Sequence, residues 1–263
     1  MTFLRSISAE FSKLKYAPIL WLCAFVIVII TGIVLASSIF DQANIVQLGR
    51  NPWSRHMIAC LGIFAVMLST PFIVMLISTS VFIENHSKAW KYLYSTPRSR
   101  SHVFYAKLVA MFLVVLMVIA IILFLNILSA YFLDFLFPEI EFRYHEMGFA
   151  SIVGTYTHVF ISLLGVIGIQ YFLSLRFKGF LIPMSFGIIS FIVGIIVGSM
   201  NKPMSLYYPY SYPNIVRDHQ MFTIDKIGIT QHGWINNVEI HSIIAFVFFI
   251  ALAHILELRK DIS

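Results

Sequence analysis

Nine histidines and two cysteines are the residues of this 263-residue chain best suited to metal or proton chemistry. Their spacing argues against it. No His-Glu-x-x-His occurs, so the zinc-hydrolase helix is absent. Cys23 and Cys60 stand alone inside apolar runs. Neither a disulfide framework nor a metal site can be built from them, and they read as small buried apolar residues. His158 and His254 fall in apolar segments with no carboxylate partner within a span, and His241 reads as interfacial. Ionisable groups inside a membrane mark proton pathways. Their near absence counts against a proton-coupled secondary transporter and against a membrane metalloprotease. A membrane-embedded enzyme would need convergent polar side chains in its spans, and Asn126, Gln170 and scattered Ser and Thr are poor candidates. No Gly-x-x-x-x-Gly-Lys is present, so no P-loop cradles a nucleotide here. If ATP drives this chain, a separate subunit must bind it.

The elements that would position these residues are set by composition. Apolar residues make up 59% of the chain and charged residues 11%, against roughly 45–50% and about 25% in soluble domains. So few charges cannot cover a globule, and lipid must be the solvent for much of the chain. Six apolar segments predict transmembrane helices, at about 17–39, 57–83, 103–133, 148–175, 179–200 and 240–256, each long enough for a hydrocarbon core roughly 30 Å thick. The first is too long for a signal-peptide core of roughly 7–15 residues and is expected to be retained. Residues 2–15 instead form an amphipathic pattern. Phe3, Leu4, Ile7, Phe11 and Leu14 take one face and Arg5, Ser6, Ser8, Glu10, Ser12 and Lys13 the other, as in a helix lying in the membrane interface. The alternative is a cytosolic helix packed on a partner. The fold class expected is all-α and polytopic, a single transmembrane domain over 1–263.

Basic residues orient it, because short cytoplasmic loops carry an excess of Lys and Arg. With the N-terminus inside, twelve basic residues fall inside and six outside, while eight of the twelve acids fall outside. Both termini are then cytoplasmic, in a multi-pass protein of the cell (plasma or inner) membrane. The outer segment, 201–239, carries Tyr207, Tyr208, Tyr210, Tyr212 and Trp234, with Pro203, Pro209 and Pro213 between them. Aromatics with a polar tip settle at headgroup level, so the segment is expected on the outer leaflet or dipping back into it. Its four tyrosines are the expected outer-surface contacts to substrate or lipid. Pro71 and Pro183 should kink their helices. Gly194 and Gly198 make a small-xxx-small pair, read as packing within the subunit or as a dimer seam.

The segment 84–102, after the second span, reads as a short helix through Tyr94, ended by Pro97. A basic cytoplasmic helix that also carries Trp90 and Leu93 suits docking to a soluble partner; the plain alternative is an ordinary basic inside loop. Its pattern is an acid at the end of the span, then Leu-x-Ser-x-Pro-x-Ser-Arg, then a lysine opening the next span. Here these are Glu84, Leu93, Ser95, Pro97, Ser99, Arg100 and Lys107. This resembles the ABC-2 type permeases. The order of interfacial helix, six spans, coupling helix and outer re-entrant segment agrees with that family along the whole chain. The resemblance implies the transmembrane subunit of an ATP-binding cassette exporter, not itself an enzyme. A cytoplasmic ATPase subunit would bind ATP and Mg and dock on Glu84, Lys88, Trp90, Lys91, Leu93, Pro97, Arg98 and Arg100. A second permease subunit, the same or homologous, and membrane lipids complete the partners, and no nucleic acid is expected. The Tyr-Pro segment looks most like permeases of peptide-antibiotic (lantibiotic) immunity exporters, which implies a hydrophobic or amphipathic substrate: a peptide antibiotic, a lipid or a drug. A membrane-embedded enzyme and a non-transporting sensor or assembly subunit remain as alternatives.

Overall fold

The apolar runs fold as helices, and no strand occurs among the described residues. A computed structural model describes residues 3–15, 18–40, 51–86, 100–177, 179–200, 202–227 and 236–258. Five helical stretches are long and apolar enough to cross a membrane: Pro52–Ile83, Ser101–Leu136, Phe149–Arg176, Leu181–Ser199 and Asn237–Leu258. An apolar helix of 23 residues, Pro18–Phe40, precedes them. The chain is an all-α, multi-pass membrane protein.

Helix α1 (Phe3–Lys15) packs on α2 (Pro18–Phe40) and on the long α5 (Arg100–Leu136). Ser6 and Glu10, assigned above to the face away from the apolar stripe, are both buried. They lie one turn apart and are covered by the chain's own helices, so the polar side of α1 is not a wholly solvated face.

The second membrane stretch is helical from Pro52, earlier than the apolar run suggests. Asn51 caps it, its side chain accepting from the Trp53 amide, and Pro52 sits at the first helical position, where its missing N–H costs nothing. This helix, α3 (Pro52–Gly62), passes through a π-turn at Ile63–Leu68 into α4 (Ser69–His86). Pro71 follows the π-turn, and both are recognised causes of a bend. α5 has 37 residues, about 55 Å at 1.5 Å per residue, so it outruns a hydrocarbon core at its ends. Lys107 is buried near its start, with Nζ 3.4 Å from the Ser80 carbonyl.

Helix α6 (Phe149–Arg176) lies at the centre. It packs against α4, α5, α7 (Leu181–Met200), α9 (Tyr212–Ile227) and most extensively α10 (Asn237–Leu258), while the short α8 (Lys202–Ser205) follows α7. Glycine decides the α6–α10 seam. A Cβ at Gly168 would stand 2.9 Å from Phe246 Cα, so the two backbones touch where only a small residue fits. One helical turn away, the Ser242 hydroxyl enters the ladder of α6. It accepts from the Gly165 amide at 2.9 Å and sits 2.9 Å from the carbonyls of Ile161 and Ser162.

Candidate functional site

Of the proposed docking segment, Lys88, Trp90, Lys91, Leu93, Pro97 and Arg98 lie outside the described residues. Its flanks are described. Glu84 is in the last turn of α4, and Arg100 is the first residue of α5. The first turns of α5 are gripped by three neighbours. Ser101 Oγ lies 2.9 Å from His254 Nε2 on α10. The Phe104 and Tyr105 rings pack on the His254 ring. Tyr171 on α6 donates to the Phe104 carbonyl at 3.1 Å, and Lys107 reaches α4 as noted.

The tyrosine segment is at the other end of the bundle and is folded into it. Gly194 makes the room: a Cβ there would stand 2.7 Å from the Tyr210 carbonyl oxygen. Gly194 is six residues short of the end of α7, so Tyr210 enters about 9 Å below that end. Irregular backbone survives at such depth only when buried in protein with its polar groups satisfied. Here Ser211 serves two of them, its hydroxyl lying 2.7 Å from each of the Ser205 and Tyr208 carbonyls, to which its one proton can be donated. Tyr208 donates to the Ser190 carbonyl at 3.0 Å and Tyr212 to the Leu206 carbonyl at 3.0 Å. The four tyrosines therefore separate. Tyr210 and Tyr212 are buried, Tyr208 is half-buried, and Tyr207 alone is open, at 80% exposure. Burial, and for Tyr210 the neighbouring Tyr208, push both buried phenols above their ordinary range, so they act as neutral hydrogen-bond donors.

Tyr210 reaches deepest. Its hydroxyl donates to Gln170 Oε1 at 3.3 Å, while Gln170 Nε2 donates to Ser78 Oγ on α4 and to the Pro183 carbonyl on α7, both at 2.8 Å. Gln170 is fully buried six residues from the far end of α6. One amide thus joins α4, α6, α7 and the tyrosine segment. Gly187 completes the layer, since a Cβ there would stand 2.8 Å from Gln170 Oε1 and 2.5 Å from Val74 Cγ1. Dismissed above as catalytic material, Gln170 is a structural hub.

Two further polar clusters escaped the sequence reading. His56, on α3, lies 2.9 Å from Ser129 Oγ, 3.1 Å from the Asn126 carbonyl and 3.4 Å from Ser38 Oγ, and Asn126 Nδ2 donates to the Tyr156 hydroxyl. Trp53 Nε1, one turn earlier, donates to the Phe142 carbonyl. The other cluster corrects the expectation that no histidine in a span meets a carboxylate. His158 Nδ1 is 2.6 Å from Glu239 Oε1, and Glu239 is fully buried. The last apolar run was taken to start after Glu239, but α10 starts at Asn237 and carries Glu239 inward in its first turn. The signal was present. Asn236 and Glu239 are three apart, as in a capping box, and Oε2 accepts from the Asn236 amide at 2.8 Å. Among the described residues no group of three or more His, Cys, Asp or Glu could hold a metal ion.

A family model described as ABC-2 family transporter protein matches residues 6–194. The chain belongs to the ABC-2 transporter family. The match takes in α1 to α7 up to Gly194, the residue against which the tyrosine segment packs. The tyrosine segment and α10 of this ABC-2 permease lie beyond the matched residues. No curated protein matches the chain. What the ABC-2 permease builds from its own residues is a set of polar joints that fix how its helices sit on one another.

Proposed function

We propose that this chain is the permease subunit of an ABC exporter, working as a pair of permeases with two cytoplasmic ATPases that bind ATP and Mg. Family membership supports the transport class. The observation that carries the rest is the tyrosine segment, folded into the end of the bundle opposite His86 and Arg100, the described flanks of the proposed docking segment. An ATP-driven exporter needs a seal at the far mouth and a docking point at the near one. The basic asymmetry of the loops supports cytoplasmic termini in the cell membrane and an outward-facing tyrosine segment. The outward faces of α2, with Trp21, Phe25 and Val28, and of α7, with Ile189, Ile192 and Ile196, are exposed apolar surface. They suit lipid and the second permease. A hydrophobic or amphipathic substrate, such as a peptide antibiotic, a lipid or a drug, would pass between the two halves.

In this mechanism ATP closes the ATPases together and pushes the segment around Lys88 to Ser95, and the permease halves shift. Trp90 and Leu93 are three apart, so on the helix that the sequence predicts they would share a face and seat in a groove of the ATPase. Anchors of this kind commonly carry about 2 kcal/mol or more, roughly thirtyfold in affinity. Trp90→Ala with Leu93→Ala leaves every Lys and Arg of the loop in place. The double variant is expected in the membrane at normal level but without the ATPase when purified. Normal co-purification and ATP turnover would refute the docking role.

A further inference from the structure

Gln170 stands where the two ends of the proposed cycle meet. Ser78, which takes one of its amide protons, is on α4, six residues and about 9 Å before Glu84 and the docking segment. Tyr210, which donates to its oxygen, is the deepest residue of the segment that closes the other end. The Pro183 carbonyl ties the same amide to the start of α7, against whose Gly194 the tyrosine segment leans. Gly187 and Val74 leave no slack around it.

We propose that Gln170 is a clasp that couples the nucleotide-driven movement of α4 to the release of the tyrosine segment. It is a positioning residue, acting through Ser78 and Tyr210. The proposal rests on the exporter reading. A buried primary amide suits this role because its two donors and its acceptor face different partners. In a low-dielectric interior each contact is costly to leave unmade. If α4 shifts, Ser78 no longer matches the amide, the amide reorients, and the Tyr210 hydroxyl loses its acceptor. The seal then loosens through the amide.

The test uses the permease co-purified with its ATPase, with Cys23 and Cys60 replaced by alanine. Asn214→Cys serves as reporter. Asn214 is buried on α9 just past the tyrosines, and its side-chain oxygen has no hydrogen-bond partner among the described residues. Labelling by a membrane-impermeant maleimide is compared without nucleotide and after trapping with Mg-ATP and vanadate. In the parent, trapping is expected to raise labelling at least fivefold. Ser78→Ala and Tyr210→Phe each delete one hydroxyl and leave the fold intact. In both, ATP hydrolysis should continue while the nucleotide response falls below twofold, and the double variant should lose no more than either single. Retention of the parental response in either single variant, or losses that add in the double, overturns the clasp alone. A parent with no bound ATPase or no nucleotide response overturns the exporter reading, and the clasp with it.

Discussion

Ser242 shows what one hydroxyl can do between two membrane helices. Placed between the Gly165 amide and the carbonyls of Ile161 and Ser162, it makes α10 part of the backbone ladder of α6. Ser242→Ala strips a buried amide and carbonyl of that partner, and such groups cost about 1–3 kcal/mol each when left unmade. Ser242→Ala is therefore expected to lower the unfolding free energy in detergent by that order, read as a fall in the unfolding midpoint. A midpoint unchanged and a helix separation unchanged would show that the hydroxyl is incidental. At this scale the sequence is least legible. Nothing about Ser242, His56 or Gln170 in the linear chain says which polar residue in an apolar run faces another helix. Glu239 was within reach, because its spacing from Asn236 is a helix-start signature, but the apolar run alone sets the start at residue 240, three residues after the helix begins at Asn237.

Among the elements, α7 poses the sharpest question, since its Gly194 and Gly198 suit either close packing within the chain or a seam with a second copy. The structure separates the two glycines. A Cβ at Gly194 would meet the Tyr210 backbone at 2.7 Å, whereas at Gly198 the nearest atom is Ser211 Cβ at 3.9 Å, an ordinary contact. Gly194→Ala must therefore displace the tyrosine segment, at a cost of about 1–3 kcal/mol for such overpacking, and Gly198→Ala should be nearly neutral. The check is maleimide access at Asn214→Cys without nucleotide, raised by the first substitution and not by the second. Equal and small effects would return Gly194 to the seam. The helices themselves were legible as apolar runs, since length and composition suffice to place them. The re-entry of the tyrosine segment was legible as a tendency, from aromatic and proline spacing. Which tyrosines point in was not, because the depth is set by a glycine on another helix.

For the whole molecule, sidedness is the property on which the proposed mechanism turns. Cysteines at Ser99, in the docking segment, and at Tyr207, the exposed tyrosine, should be labelled from opposite faces of the membrane. Ser211, although in the same stretch, is a poor reporter because it is buried. Labelling of both positions from one face would sink the orientation and the mouth-to-mouth coupling with it. The distribution of basic residues is what predicts this sidedness, because membrane insertion reads loop charge rather than packing.

The π-turn at Ile63–Leu68 has a consequence for how this chain can change over time. A turn of that kind is an α-helix holding one residue more than it needs. Losing a residue there lets the helix close up with both flanks keeping their bearing. Losing one anywhere between the turn and Ser78 swings everything after it by about 100° and carries Ser78 off Gln170. Within this membrane stretch, the turn that looks irregular is thus where a deletion is absorbed, and the regular helix after it, up to Ser78, is where one is not.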